Sequence, residues 1–169
     1  MEQFEVELEE VEIEIYATRG EAVPRAKRYG IRIDDFKFTV EKHDLTEEEL
    51  LKLAGKCDCS HSILQLFHHA DAEPIKPGEK VDLHRHGIER FATVHKEEVT
   101  IFVNYDEKDK PIQVKRGEVE VNEIKRLAGV PDSYTLYSAT TGLPLDDTAS
   151  VPIAGCEEFS TQVKGGTTS

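Results

Sequence analysis

A short motif that occurs twice constrains the fold of this chain more than any other feature. Leu53-Ala54-Gly55 recurs as Leu127-Ala128-Gly129, and each copy ends a stretch with apolar residues at helical spacing. Glycine just past such a stretch commonly ends a helix. A second landmark, Phe91, recurs as Phe159. Because the same order of landmarks occurs twice, the sequence indicates a duplicated domain rather than a long array of repeats.

The residues around the first motif predict a complete small domain. Alternating apolar residues over 31–40 predict a β-hairpin that turns at Asp34-Asp35. Thr46 and Glu49 form a capping box, which predicts a helix from there to Gly55. The remaining predicted elements are strands at 62–67 and 89–94, with a short segment at 81–83 between them.

The second repeat predicts the same order of elements. Its predicted strands are 99–103, 111–114, 134–138 and 159–163, its helix ends at the stop Gly129, and its short segment is 151–153. A hairpin, a helix across one sheet face and strands that return to the sheet describe a β-grasp, the ubiquitin fold. We therefore predict an α+β chain with two tandem β-grasp (ubiquitin-like) domains, residues 29–95 and 98–163.

Both ends of the chain lie outside these predicted domains. Residues 1–28 are predicted to form an acidic N-terminal extension and linker, because residues 2–16 contain seven Glu and no basic residue. Their apolar residues fit a strand and also a helix, so strand, helix and solvated tail all stay open. A strand here could add to the sheet edge of a partner or of a second copy. Residues 164–169 are predicted to form a flexible C-terminal Gly-Gly tail.

The overall charge limits the classes of partner. A formal net charge of −13 argues against nucleic acid and anionic membranes, since both repel an acidic surface. No apolar run approaches the roughly 20 residues that span a bilayer, and the N-terminus is acidic where a signal peptide would be basic. Three cysteines, an odd number, fit a reducing compartment and free thiols. We therefore expect a cytoplasmic protein.

The first repeat resembles the bacterial multiubiquitin family. The resemblance is carried by Tyr29-Gly30-Ile31-Arg32-Ile33-Asp34, by the helix that ends in Leu-Ala-Gly, and by the segment from Val81 to Phe91 with its Gly-x-Glu-Arg-Phe signature. The second repeat keeps the Leu-Ala-Gly motif but lacks that signature, so it is the more divergent unit. A tandem of this kind with a terminal Gly-Gly and a short extension is also similar to the modifiers of bacterial antiphage conjugation systems.

This resemblance implies a ubiquitin-like protein modifier and not an enzyme. A JAB-type, deubiquitinase-like metalloprotease would trim the tail after Gly166. An E1-like activating enzyme would then use ATP to adenylate the new carboxylate, and an E2-like conjugating enzyme would pass it to a target amine. The implied target is a phage structural protein, and the implied role is antiviral defence. No cofactor is implied for the modifier itself.

The tail residues would then have separate roles. A carboxylate is a poor electrophile, so it must become an acyl-adenylate and a thioester before an amine can attack it. Gly166 would supply that carboxylate after cleavage between Gly166 and Thr167. Gly165 would keep the chain slim enough to enter a narrow channel. Lys164 could meet an acidic groove of an enzyme, and an ordinary solvated lysine is the alternative.

A zinc site is the main competing chemistry in the sequence. Cys57-Asp58-Cys59-Ser60-His61 is followed by several histidines, namely His68, His69, His84 and His86. Structural zinc sites usually space paired cysteines by two to four residues, and Cys-x-Cys is tighter than that. Cys156 lies in the other repeat and does not complete a second pair, so we predict no metal site.

The remaining charged clusters do not indicate catalysis. Asp146-Asp147 and Glu157-Glu158 are interpreted as solvated loop and strand-edge charges, and no phosphate loop, dinucleotide fingerprint or hydrolase motif occurs.

Two other functions stay open from the sequence. One is a non-conjugated ubiquitin-like binding or assembly module, in which the acidic N-terminus would matter, for example in self-association. The other is a sulfur carrier, which also uses a β-grasp and a terminal Gly-Gly but as a thiocarboxylate. Sulfur carriers typically are single domains that end at the glycine, and this chain has neither property.

Overall fold

The computed structural model describes residues 7–76 and 78–165. The chain divides into two compact units, Met1–His95 and Lys96–Ser169. The boundary falls between the last strand of the first unit and the first strand of the second. Each unit has its own hydrophobic core.

The first unit begins earlier than the first predicted domain. Its elements in chain order are β1 Leu8–Glu12, α1 Ile13–Arg19, β2 Ala26–Ile33, β3 Phe36–Val40, β4 Asp44–Thr46, α2 Glu47–Leu53, β5 His61–Phe67, β6 Glu73–Pro74, β7 Lys80–Asp82 and β8 Ile88–His95.

The main sheet of this unit has the strand order expected of a β-grasp. Strand β3 pairs with β2, and β8 lies between β2 and β5, which in turn pairs with β6. Strands β2 and β8 are parallel where Ile33 pairs with Phe91, and both side chains are buried. The predicted turn at Asp34-Asp35 is confirmed, since both residues have positive φ, as a two-residue hairpin turn requires.

Helix α2 forms for the reasons that its sequence indicates. The Thr46 side chain accepts a hydrogen bond from the backbone N–H of Glu49 at 3.1 Å, which confirms the predicted cap. Leu50 and Leu51 are buried and share one core with the sheet residues, including Ile63 and Phe91. The turn that follows contains Gly55 at φ +70°, a conformation that favours glycine.

In the described part of the predicted extension and linker, residues 7–28, the structure shows a strand and a helix that pack onto the first unit. Strand β1 adds to the edge of the unit's own sheet, parallel to β2. Strands β1 and β8 share one side of β2, because β3 pairs with the other side over the same residues. The close approach of β1 uses Gly30, where an added Cβ would lie 3.2 Å from Cγ of Glu12.

Apolar residues explain why this N-terminal segment folds onto the domain. Val11, Ile13, Ala17 and Val23 are all buried, and the predicted extension and linker together contain the whole of helix α1. The acidic side chains meet bases of β2 and β3 rather than solvent alone, in the ion pairs Glu9–Lys27, Glu12–Lys37 and Glu14–Arg32. The charge pattern is therefore complementary within the unit.

The second unit has no counterpart of β1 and α1 among its described residues. Its elements are β9 Glu98–Tyr105, β10 Lys108–Lys115, β11 Gly117–Glu120, α3 Val121–Ala128, β12 Tyr134–Ser138, β13 Pro144–Leu145, β14 Ser150–Ile153 and β15 Glu158–Val163. The sheet order β10-β9-β15-β12-β13 matches the order β3-β2-β8-β5-β6 of the first unit. Phe159 pairs with Val103 across a parallel ladder, as Phe91 pairs with Ile33.

The first hairpin of this unit is longer than predicted. The sequence indicates a turn-rich segment over 104–110, whereas the structure turns at Asp106-Glu107 alone. Both residues have positive φ, so the turn needs only two residues and β10 starts at Lys108. The sequence did not indicate the start of β10, because its first residues are polar and show no alternation of apolar side chains.

Within residues 7–76 and 78–165, no helix is both long enough and apolar enough to cross a bilayer.

Candidate functional site

The candidate site is the place where the chain leaves the second unit. Strand β15 lies between β9 and β12, and its last ladder pair joins Val163 to Tyr134. Lys164 extends this contact, because its backbone N–H donates to the carbonyl of Ser133 at 2.7 Å. Gly165 follows at φ +69°, with no atom within 4 Å of an added Cβ. The predicted conjugation residue Gly166 and processing partner Thr167 lie outside the described residues.

The side chain of Lys164 is held beside the end of β15. Its Nζ lies 2.5 Å from Oδ2 of Asp147, in a side chain that is 45% exposed. Lys164 is therefore ion-paired within its own unit, which neither sequence-based alternative describes. The interpretation of Asp147 as a solvated loop charge is wrong, since only 24% of that side chain is exposed and its carboxylate is fully engaged.

Asp147 also holds a buried lysine. Nζ of Lys125 lies 3.0 Å from Oδ1 of Asp147, and the Lys125 side chain is only 2% exposed. A buried ammonium is unfavourable without a nearby opposite charge. One carboxylate thus binds two lysines, one in helix α3 and one at the start of the tail.

The position of Lys125 follows from the pattern of α3. The residues that this helix buries are Val121, Ile124, Lys125 and Ala128, which fall on one face. The loop with the acid is fixed at the same end of the helix, because the N–H of Asn122 donates to the carbonyl of Asp147 at 3.1 Å. Backbone and side chain of Asp147 therefore both bind α3.

The electrostatics of the loop favour charged carboxylates. Hydrogen bonds from Lys164 and then from Lys125 lower the pKa of Asp147 below its ordinary value. The pKa of the neighbouring Asp146 is also lowered, by hydrogen bonds from the backbone and side chain of Thr148. Asp147 is thus an anion at neutral pH and pairs with both cations.

Sequence reasoning missed Asp147, although one signal was present. When the two repeats are aligned on their Leu-Ala-Gly motifs, Lys125 corresponds to Leu51 of the first unit. The preceding residues, Ile124 and Leu50, also correspond. A lysine on the apolar face of a helix calls for a carboxylate partner. That partner is 22 residues away, so sequence spacing alone does not identify it.

What this arrangement can do is orient the tail. The backbone bond to Ser133 and the ion pair to Asp147 fix the chain through Lys164. Gly165, the first glycine of the pair, follows directly after this fixed stretch.

The residues of the zinc hypothesis have other contacts. The sulfur atoms of Cys57 and Cys59 face each other in the turn before β5, where the N–H of Cys59 donates to Sγ of Cys57 at 3.4 Å. Nδ1 of His68 faces Glu89 at 3.5 Å, and Nε2 of His86 donates to the carbonyl of Gly20 at 2.8 Å. The rings of His68 and His69 lie against each other, with centroids 4.0 Å apart, whereas the ring of His84 stacks on His43.

The strand order, the parallel central pair and the helix that packs into each core define a ubiquitin-like α+β protein of the β-grasp type. The comparison with family models agrees, because residues 29–96 match the family described as Multiubiquitin. This match confirms the resemblance carried by the first repeat, and it begins three residues into β2. No curated protein matches the chain.

Proposed function

We propose that the chain is a ubiquitin-like protein modifier that is joined to target amines through Gly166. The chain itself is not an enzyme in this proposal. The single observation that carries it is the anchored end of β15, which presents the start of a Gly-Gly tail at the surface of a ubiquitin-like unit.

The proposed pathway has three steps on other proteins. A JAB-type metalloprotease removes Thr167-Thr168-Ser169, an E1-like enzyme adenylates Gly166 with ATP, and an E2-like enzyme carries the resulting thioester to a lysine. The thioester step is needed because an amine does not attack a free carboxylate at a useful rate.

The biological setting is proposed from resemblance. Two ubiquitin-like repeats with this tail resemble BilA, the modifier of bacterial antiphage conjugation (Bil) systems. A phage structural protein is then the target, and the modifier acts in the cytoplasm. Nucleic acid and membranes are not partners in this proposal, in keeping with the charge of −13.

The N-terminal segment has a structural role in this proposal. Glu9, Glu12 and Glu14 are paired with bases of the same unit, which supports a role in holding this segment on the sheet. The surface of the second unit, next to the tail, would meet the activating enzyme.

Co-expression with the genes that neighbour this one tests the proposal. Intact-mass spectrometry should show loss of Thr167-Thr168-Ser169, and peptide mapping should show Gly166 in an isopeptide bond. A chain that ends at Gly166 is the matched control and should form adducts without the protease. A chain that ends at Lys164 should form none.

The same experiment separates the other candidate functions. Unchanged adducts from the chain that ends at Lys164 would refute conjugation through Gly166. An uncleaved tail, with stable non-covalent complexes, would instead support a binding or assembly module. Replacement of one carboxylate oxygen by sulfur on Gly166 would support a thiocarboxylate carrier.

A further inference from the structure

Three side chains of the first unit meet where strand β4 begins and strand β7 ends. His43 directly precedes β4, Asp82 is the last residue of β7, and His84 lies two residues further on. Asp44 pairs with Asp82 in the ladder, and the N–H of Leu83 donates to the carbonyl of His43 at 2.6 Å. Backbone hydrogen bonds therefore fix these side chains relative to one another.

Both imidazole rings face the same carboxylate oxygen. Nδ1 of His43 lies 3.5 Å and Nδ1 of His84 lies 3.7 Å from Oδ1 of Asp82. The rings are stacked, with centroids 4.6 Å apart and planes inclined by 17°. The N–H of His84 donates to the same Oδ1 at 2.9 Å, which orients the carboxylate.

These distances fit a tetrahedral metal ion. Ligand atoms about 2.0–2.1 Å from zinc stand about 3.4 Å apart from one another in a tetrahedron. One ligand atom from each of the three residues lies within 4.8 Å of the others. Small side-chain adjustments would thus bring the three ligand atoms to coordination distance, without movement of the strands.

The far side of the His84 ring is held by a buried tyrosine. Nε2 of His84 lies 2.7 Å from the hydroxyl of Tyr29, a residue that is 2% exposed. The hydroxyl oxygen also accepts the N–H of Ala26 at 3.1 Å. When Nε2–H donates to Tyr29, the lone pair of Nδ1 faces Asp82, as in metal sites whose histidines are oriented by an outer hydrogen bond.

Exposure and charge also suit a metal ion. The side chains of His43 and Asp82 are 54% and 58% exposed, so a water molecule can supply a fourth ligand. The nearby Asp44 is paired with Lys80 at 3.6 Å. Two imidazoles and one carboxylate form a donor set that suits zinc and related transition metals better than magnesium or calcium.

We propose that His43, Asp82 and His84 form a binding site for one divalent transition-metal ion, with Zn²⁺ as its representative. The ion would link the residue before β4 to the end of β7 and the residues that follow it. It would so stabilise this part of the first unit. The site is separate from the C-terminal tail, so it does not depend on the proposed conjugation.

Calorimetric titration of the untagged full-length chain with zinc chloride tests the site. We expect one equivalent of Zn²⁺ to bind, and His43→Ala and Asp82→Asn each to weaken binding at least tenfold. His69→Ala, which removes an exposed histidine outside the cluster, is the matched control and should bind as the wild type does. Amide NMR spectra of each variant would establish that it is folded.

Imidazole nitrogen NMR supplies a second measurement without mutation. Zn²⁺ should shift Nδ1 of His43 and Nδ1 of His84 and leave the rings of His68 and His86 unchanged. The proposal is overturned if the wild type binds no Zn²⁺, if both cluster variants bind it normally, or if Cys57→Ser abolishes binding instead.

Discussion

The two units share a strand order but differ at one position of the helix core. Leu51 of the first unit is 1% exposed, and at the matching position of the second unit Lys125 is 2% exposed. The leucine needs no partner. The lysine requires Asp147, and through Asp147 the end of β15 is tied to helix α3. The change from leucine to lysine at this helix position thus goes together with an ion pair that holds Lys164 at the start of the tail.

The units also differ in what surrounds the sheet. The first unit adds β1 and α1, and residues of this segment enter its core. The second unit starts directly with its hairpin strand β9. Its C-terminal end instead carries the extra contacts, through Lys164. The first unit therefore has additional structure at its N-terminal end, and the second unit has additional contacts at its C-terminal end.

The largest effect is expected from truncation of Ile13. This side chain is fully buried in the core of the first unit, so Ile13→Ala should reduce the stability of that unit by about 2–5 kcal/mol. Hydrogen–deuterium exchange of the full-length chain, read on peptides of each unit, measures this change. Peptides of the second unit should retain their protection.

Ile15→Ala is the matched control for this prediction. Ile15 lies on the same helix and is 44% exposed, so its truncation should cost less than about 1 kcal/mol. Equal effects of the two variants would show that the N-terminal segment is not part of the core.

A smaller loss is expected when Asp147 is replaced. Asp147→Asn leaves the ammonium of Lys125 buried without a carboxylate and should destabilise the second unit by about 1–3 kcal/mol. Lys125→Leu copies the first unit and should leave the stability unchanged or raise it. In the Lys125→Leu background, Asp147→Asn should cost clearly less, which a double-mutant cycle measures.

The pH dependence of this loss follows from the lowered pKa of Asp147. Its contribution is fully present above the ordinary value of 3.8 and is lost as the pH falls through the lower folded value. The stability difference between wild type and Asp147→Asn should therefore be constant near neutral pH and shrink below about pH 4. A difference that grows in acid would contradict the ion-pair account.

The smallest effect concerns the two hairpin turns. Glu107 has φ +61°, so Glu107→Gly should stabilise the second unit by about 0.5–1 kcal/mol in exchange or denaturation measurements. Asp35 has a similar φ of +67°, but it pairs with Arg90 at 2.9 Å. Asp35→Gly loses that pair and should change stability less. Equal gains would mean that the ion pair contributes nothing.

Much of each unit was predictable because its signals are local. The cap at Thr46, the glycines after α2 and α3 and the turn at Asp34-Asp35 depend on residues only a few positions apart. The alternation of apolar residues identified the strands, and their duplication identified the repeat. These signals predicted the two hairpins, helices α2 and α3 and the longer strands, but not the short strands β4, β6, β11 and β13.

The N-terminal segment shows where local signals were insufficient. Its seven Glu residues fit a solvated tail as well as a strand, because sequence alone does not show which bases they meet. The structure places Glu12 beside Lys37 and Glu14 beside Arg32. Val11 and Ile13 on the same segment then pack into the core. These contacts decided that the segment forms a strand and a helix.

By itself, the sequence determined the order of the elements, the duplication and the Gly-Gly tail. Only the tertiary structure decided that the N-terminal segment belongs to the first unit and that Asp147 binds Lys125 and Lys164. The physical reason is that these pairings join charges 17 and 22 residues apart. Chain folding brings such charges together, and no spacing rule in the sequence specifies them.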